Sequence, residues 1–284
     1  TTLFICVNFI KKNIYYKCNN IIMSDSESED DISNNYGNSK DFDLSVLPIV
    51  SQEKPVKLKR PISPDLPDIT KGVLYLIIGS VRSGKTNYVN SLLYNPNFYY
   101  DLFENRVWIS PSVYNDDSCA YIREDCKCYD TYNDNIIDSV IDYQSSFPTK
   151  SKRPSLFIAL DDVIGAIPAN SSAYALTTKY RHLAKASMVC IMTQKFRKIP
   201  NVVRANVNNV AIFWNIVNSK ELDAIAEEYN SLTGGHKNFI KLYTENIQKV
   251  PYAFMYLDVN KNLVWFKHQY ILYDGNNNME ADEI

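Results

Sequence analysis

The sequence predicts an α/β fold, a mainly parallel sheet covered by helices on both faces, with a β-hairpin at its C-terminal end. Three observations predict it. Five short, continuous apolar runs have the length and the lack of alternation expected of strands buried on both faces: Val73–Ile78, Arg106–Ile109, Leu156–Leu160, Met188–Met192 and Val210–Trp214. Helical patterns lie between some of them, at Asn87–Tyr94 and Ala173–Ala186, and strands alternating with helices imply parallel pairing. Tyr252–Val259 and Leu263–Ile271 flank Asn260-Lys261-Asn262, the pattern of a hairpin.

Each element has its local reasons. The first helix should end before Pro96, because the residue preceding a proline disfavours the α region. Asn218 and Glu221 form a capping-box pattern for a helix through Leu232, closed by Gly234-Gly235. Around this domain, placed at 71–272, the chain divides by composition. Residues 1–22 precede the first methionine, Met23. They read as sequence translated from upstream of the true start or as the end of a fragment of a longer protein. Residues 23–70 read as a disordered tail, first acidic and Ser-rich, then Pro-rich, with too little apolar surface to offset chain entropy. Residues 273–284 read as a second acidic tail.

The 284 residues are 45% hydrophobic and 22% charged, which excludes a collagen-like, wholly disordered or disulfide-scaffold protein. A chain of this length buries roughly 70–75% of its unfolded surface and needs no metal or disulfide staple. Cys119, Cys126 and Cys128 cluster, but no histidine stands near them at a zinc-like spacing, so the six cysteines read as free thiols of a reducing compartment. The apolar run Leu3–Ile10 is too short to span a bilayer and lacks a small-residue cleavage site. No other stretch approaches the ~20 apolar residues a spanning helix needs. The expectation is a soluble, intracellular protein with no membrane span, not a secreted one.

Directly after the first apolar run comes Gly79-Ser80-Val81-Arg82-Ser83-Gly84-Lys85-Thr86, followed by a helical pattern. This is G-x-x-x-x-G-K-[ST] in its strand–loop–helix context, the phosphate-binding loop of a P-loop NTPase. Only eight glycines occur, and two of them, Gly79 and Gly84, stand where the backbone must turn N–H groups toward phosphate oxygens. The helix that follows adds partial positive charge. Lys85 is the candidate contact to the β and γ phosphates of ATP, and Thr86 the candidate hydroxyl ligand of Mg²⁺.

Leu156–Leu160 ends in Asp161-Asp162. Asp161 is the candidate Walker B acid holding Mg²⁺ from the opposite side, and Asp162 the candidate base for the attacking water. Met188–Met192 ends in Thr193-Gln194, where a polar side chain faces the ligand crevice of an open α/β sheet. Gln194 is a candidate to sense the γ-phosphate or to position water.

The net charge of -2 hides a partition. Residues 101–142 hold 10 acids against 3 bases, whereas residues 179–204 hold Lys179, Arg181, Lys185, Lys195, Arg197, Lys198 and Arg204 with no acid. A basic run of this kind is a solvated face, a source of arginines acting on a neighbour's γ-phosphate, or a contact to DNA phosphates.

Taken together, Gly79–Thr86, Asp161-Asp162, Arg181-His182-Leu183, Gln194, Arg197-x-x-Pro200 and Arg204-Ala205-Asn206 resemble the poxvirus-type genome-packaging ATPases of the FtsK–HerA superfamily, found in large DNA viruses and virophages. The resemblance covers roughly residues 72–272. It implies a homo-oligomeric ring that hydrolyses ATP with Mg²⁺ to move double-stranded DNA into a capsid. Its partners would be DNA and the capsid vertex or capsid proteins, and its place the host cytoplasm, a viral factory or the virion. By motif, Lys85 and Thr86 carry over as phosphate and Mg²⁺ contacts, Asp161 as the Walker B acid, Gln194 as the sensor, and Arg197 and Arg204 as the two candidates for a trans-acting finger. Asp162 stands where much of the superfamily has Glu, and the poxvirus branch resembles this chain in having Asp-Asp. Two other readings of the same residues are a different P-loop DNA motor, such as a helicase or helicase loader, and a nucleotide-binding assembly protein with negligible hydrolysis.

Overall fold

The computed structural model describes residues 56–63, 66–168 and 170–267. The expectations for residues 1–22, for the acidic part of the first tail and for residues 273–284 lie outside the described residues, as does the end of the hairpin beyond Lys267.

Eight strands form one sheet: β1 (Val73–Ile78), β2 (Asn105–Ile109), β3 (Lys127–Tyr129), β4 (Leu156–Asp161), β5 (Ser187–Thr193), β6 (Asn209–Phe213), β7 (Phe254–Asp258) and β8 (Leu263–Lys267). Their order is β3-β2-β4-β5-β1-β6-β7-β8. The pairs from β3 through β6 are parallel, and β7 and β8 add an antiparallel hairpin to the β6 edge. The helices are α1 (Lys85–Tyr94), α2 (Ala120–Asp125), α3 (Asp134–Ser145), α4 (Ser172–Leu183), α5 (Asn201–Arg204), α6 (Ser219–Tyr229) and α7 (His236–Asn246).

Alternate side chains of the buried strands enter two cores, as the period of two requires. Leu74, Leu76 and Ile78 face α3, α4, α6 and α7 through Ile137, Leu176, Ile225 and Phe239. Tyr75 and Ile77 face α1 and α2 through Val89, Leu92 and Ile122. β5 lies between β1 and β4, so the run ending in Gln194 separates the phosphate-loop strand from the strand ending in Asp161.

The five apolar runs are β1, β2, β4, β5 and β6, each within about one residue of its expected bounds. Four features differ. The helix expected over Ala173–Ala186 is α4, Ser172–Leu183, and Ala184–Ala186 lead into β5 instead. The helix expected through Leu232 is α-helical only to Tyr229 and continues as a 3-10 turn to Thr233, ended by Gly234 at φ 78°. Its capping box is half made. Asn218 Oδ1 accepts from Lys220 N at 3.0 Å, but Glu221 Oε2 accepts from Arg197 N at 3.1 Å, because the loop after β5 brings an N–H of its own to that carboxylate. The folded domain also begins before residue 71. Leu58, Ile62 and Leu66 pack against the second core, Arg60 Nη2 donates to Phe98 O at 2.7 Å and Tyr100 O at 3.0 Å, and Tyr99 Oη donates to Pro67 O at 2.7 Å. These long-range bonds supply the enthalpy that the local composition of the Pro-rich segment lacks.

Asn208 fixes the entry of β1. Its Oδ1 accepts from Leu74 N at 2.9 Å, and its Nδ2 donates to Gly72 O at 3.0 Å and to Tyr180 Oη at 3.3 Å. It completes the ladder one residue before the β1–β6 pairing starts at Tyr75 and Asn209. Asn208→Ala leaves a buried N–H and a buried C=O unpaired. Urea unfolding should show a loss of about 2–4 kcal/mol, and a loss under 0.5 kcal/mol would contradict this role.

Candidate functional site

β1 ends at Ile78 and the chain turns at once through Gly79–Gly84 into α1, which opens on Lys85. Gly79 N donates to Thr193 O at 3.1 Å, tying the loop to the end of β5. A Cβ on Gly79 would stand 2.5 Å from Ser83 Oγ and 2.8 Å from Phe213 Cβ, so only glycine fits. Gly84 takes φ 98°, and Arg82 takes φ 59° at the loop's exposed tip. Val81 is exposed and Ser83 is buried, with its Oγ unpaired among the described residues.

Lys85 is only 8% exposed, and its Nζ donates to Gly79 O at 2.9 Å and Ser80 O at 3.0 Å. Burial lowers its pKa from the usual lysine range, while Asp162 and Asp161 oppose that shift. Both carboxylates therefore act on the ammonium across the width of β5. A phosphate oxygen is a stronger acceptor than a peptide carbonyl, so a bound polyphosphate can exchange for these backbone bonds. Thr86 follows on the first turn of α1, half-buried.

Asp161 is the last residue of β4 and is 6% exposed. Burial and the neighbouring Asp162 push its carboxyl up to about 6, against the pull of Lys85 and a hydrogen bond from Ser110 Oγ at 3.1 Å. Ser110 follows β2 and is a site residue that the sequence reading missed. The only signal was a small polar residue directly after a buried apolar run. Asp162 stands just past the strand, exposed, at φ 52°, with its N–H donated to Met192 O at 2.9 Å. Gln194 Nε2 donates to Asp162 Oδ2 at 2.6 Å. The structure therefore brings Gly79–Thr86, Asp161, Asp162 and Gln194 together at the C-terminal ends of the parallel strands β1, β4 and β5.

The two arginines are placed differently. Arg197 lies in the turn after β5, exposed, with a side chain that makes no hydrogen bond or ion pair among the described residues. Arg204, at the end of α5, is tied down. It pairs with Glu228 at 3.2 Å, bonds Asn201 and lies over the Phe196 ring at 5.1 Å. The basic stretch is not one surface. Lys179, Arg181 and Lys185 lie before β5, and Lys195, Arg197 and Lys198 after it. Seven residues of extended strand, about 20 Å, put the two groups at opposite ends of the sheet. Lys185 is moreover paired with Glu104 at 2.5 Å.

Among the described residues no helix is long and apolar enough to cross a membrane. Cys119, Cys126, Cys128 and Cys190 carry free thiols.

The raised carboxyl of Asp161 has a consequence for stability. Between about pH 4 and pH 6 the folded protein binds a proton there that the unfolded chain has released, so stability falls as pH rises through that window. A shift of about two units corresponds to roughly 2–3 kcal/mol. In EDTA and without nucleotide, Asp161→Asn should be the more stable protein at pH 7.5, and its advantage should vanish near pH 4. A variant no more stable than wild type at pH 7.5 would contradict this.

No protein-family model matches the chain, and no curated protein matches it. Among solved structures it is similar to the genome-packaging NTPase B204 of Sulfolobus turreted icosahedral virus 2, at 18% identity and TM-score 0.49, over 70% of this chain and 97% of that one. It is also similar to EssC (ATPases 2 and 3) of Geobacillus thermodenitrificans, at 14% identity and TM-score 0.49, over 74% of this chain and 41% of that one. A third is the pCW3 conjugation coupling protein TcpA, at 10% identity and TM-score 0.44, over 70% of this chain and 61% of that one. With its own strand order and its strand–loop–helix unit at Gly79–Thr86, the chain has the α/β fold of a P-loop NTPase.

Proposed function

We propose that this protein is an ATP-hydrolysing motor that moves double-stranded viral DNA into a preformed capsid, working as a homo-oligomeric ring in the host cytoplasm or a viral factory. The observation that carries the hydrolytic part is the Gln194–Asp162 hydrogen bond, 2.6 Å long, beside a phosphate loop whose lysine feels both acids. DNA, ring and capsid rest on the resemblance of Arg181-His182-Leu183, Gln194, Arg197-x-x-Pro200 and Arg204-Ala205-Asn206 to the packaging ATPases.

The donor set at the site suits Mg²⁺. Thr86 offers a hydroxyl and Asp161 a carboxylate, both hard oxygen ligands. Bound there, Mg²⁺ would neutralise charge on the phosphate oxygens. The backbone N–H groups of Gly79–Thr86 and the N-terminus of α1 cradle the polyphosphate, and Lys85 moves from Gly79 O and Ser80 O onto its oxygens. Ser110 holds the Asp161 carboxylate in place. Gln194 fixes one oxygen of Asp162, leaving the other to accept a proton from water as that water attacks the γ-phosphorus. The bond to the β-phosphate oxygen breaks, giving ADP and inorganic phosphate.

Arg197 is the arginine that acts in trans on a neighbouring subunit's γ-phosphate. It is exposed at the nucleotide edge, whereas Arg204 would first have to leave Glu228, Asn201 and Phe196. Lys195 and Lys198 flank it and attract phosphate.

Lys85→Ala should abolish duplex-stimulated ATP hydrolysis, and robust turnover by that variant would overturn the site assignment. Arg197→Ala subunits mixed with wild type should inhibit turnover more than in proportion to their fraction. Strictly proportional loss would contradict the trans role. Duplex affinity should fall steadily from 50 to 200 mM salt, and a flat response would exclude phosphate contacts as its basis.

A further inference from the structure

With Gly79–Thr86 read as the phosphate site, the direction of the ligand follows from the sheet. Lys85 is acted on by Asp162 and Asp161, just past and at the end of β4, two strands from β1 on the β5 side. The reactive end of a polyphosphate therefore points toward β4. The nucleoside end leaves the loop on the other side of β1, toward β6 and β7, about 5 and about 10 Å away at the usual strand spacing.

Two aromatic rings stand at that edge. Trp214 follows β6 and Tyr252 precedes β7. Because β6 and β7 are antiparallel, both rings lie at the end of the sheet that carries the phosphate loop. The rings meet at 5.8 Å between centroids with an interplanar angle of 62°, and Trp214 N donates to Ala253 O at 2.9 Å. Trp214 is half-buried, and Tyr252 is 37% exposed.

The backbone around them is held from three directions. Ser80 Oγ, within the phosphate loop itself, donates to Asn215 O at 2.8 Å. Ile216 N donates to Tyr243 Oη at 3.1 Å, and Tyr243 Oη donates to Phe213 O at 2.7 Å. Asn215 and Tyr252 both take positive φ, 58° and 61°, which is unfavourable for a residue as bulky as Tyr. Tyr252 meets the ring of Trp214, the residue before the Asn215 carbonyl that Ser80 holds, and strained backbone of this kind clusters at ligand sites.

We infer that Trp214 and Tyr252 form the platform on which the base of the bound nucleotide stacks, with Tyr252 presenting the exposed ring and Trp214 fixing its tilt. The inference rests on the reading of Gly79–Thr86 as the phosphate site. The Ser80–Asn215 bond couples the platform to that loop, so phosphate and base are gripped by one connected backbone.

The test compares equilibrium binding of Mg-ATP and of Mg-tripolyphosphate, which has no base, to the full chain. Tyr252→Asn removes the ring with a residue that tolerates positive φ, and Tyr252→Phe keeps it. Tyr252→Asn should weaken ATP by about tenfold and leave tripolyphosphate unchanged, as loss of one stacking partner predicts, while Tyr252→Phe binds both as wild type does. In the wild-type protein, ATP but not tripolyphosphate should change Trp214 emission, read against Trp214→Phe. Unchanged ATP affinity in Tyr252→Asn overturns the platform. Equal loss of both ligands also overturns it, and so does an equal emission response to both. Failure of the wild-type chain to bind either ligand overturns the phosphate-site reading instead.

Discussion

Gly79 leaves β1 with its N–H donated to Thr193 O and with no room for a Cβ beside Ser83 and Phe213. Without a side chain there, the loop can close onto the end of β5 and the helix α1 can start at Lys85. With one, Ser83 or Phe213 must shift and the loop separates from both flanking strands. The site at this edge follows from that contact. β5 sits between β1 and β4, so a loop docked on Thr193 is docked one strand from Asp161. Gln194 follows Thr193 directly and reaches Asp162. The same docking turns Ser80 outward to Asn215, joining the loop to the strand on its other side.

Charge burial sets the second constraint. Lys85 and Asp161 are each nearly enclosed, and each is shifted toward its neutral form by burial. Neither shift is relieved fully by the other, because β5 lies between β4, which ends in Asp161, and β1, whose loop leads to Lys85 at the start of α1. The arrangement costs the ligand-free fold stability, and the proposed ligand, with negative oxygens and a cation, would answer both charges. Sites built this way give up stability for binding. Asp162 stands past the strand end, exposed, where water can reach the carboxylate proposed as the base.

Much of this was legible in the sequence because it is contiguous. Five buried strands appear as unbroken apolar runs, and Gly79–Thr86 and Asp161-Asp162 each occupy adjacent positions. What was not legible depends on contacts distant in the chain. Ser110 becomes a partner of Asp161 only when β2 pairs with β4. Arg204 and Arg197 look alike in a basic stretch, and Glu228, 24 residues farther on, separates them. β3 is a three-residue edge strand, too short to show a period, whereas α3 carries Ile136, Ile137, Val140 and Ile141 at helical spacing, a signal the sequence reading did not use. The Pro-rich segment before Gly72 looked like tail because Arg60 finds its carbonyls 38 and 40 residues away.

The central claim is that the polyphosphate of a nucleotide sits at the C-terminal end of β1, between the edge of β4 and the edge of β6. Amide hydrogen exchange of the full chain, with and without Mg²⁺ and a non-hydrolysable ATP analogue, tests it most directly. The account predicts strong added protection across Gly79–Thr86, weaker protection across Trp214–Val217, and none at β3. Protection absent from Gly79–Thr86, or strongest at β3, would contradict it.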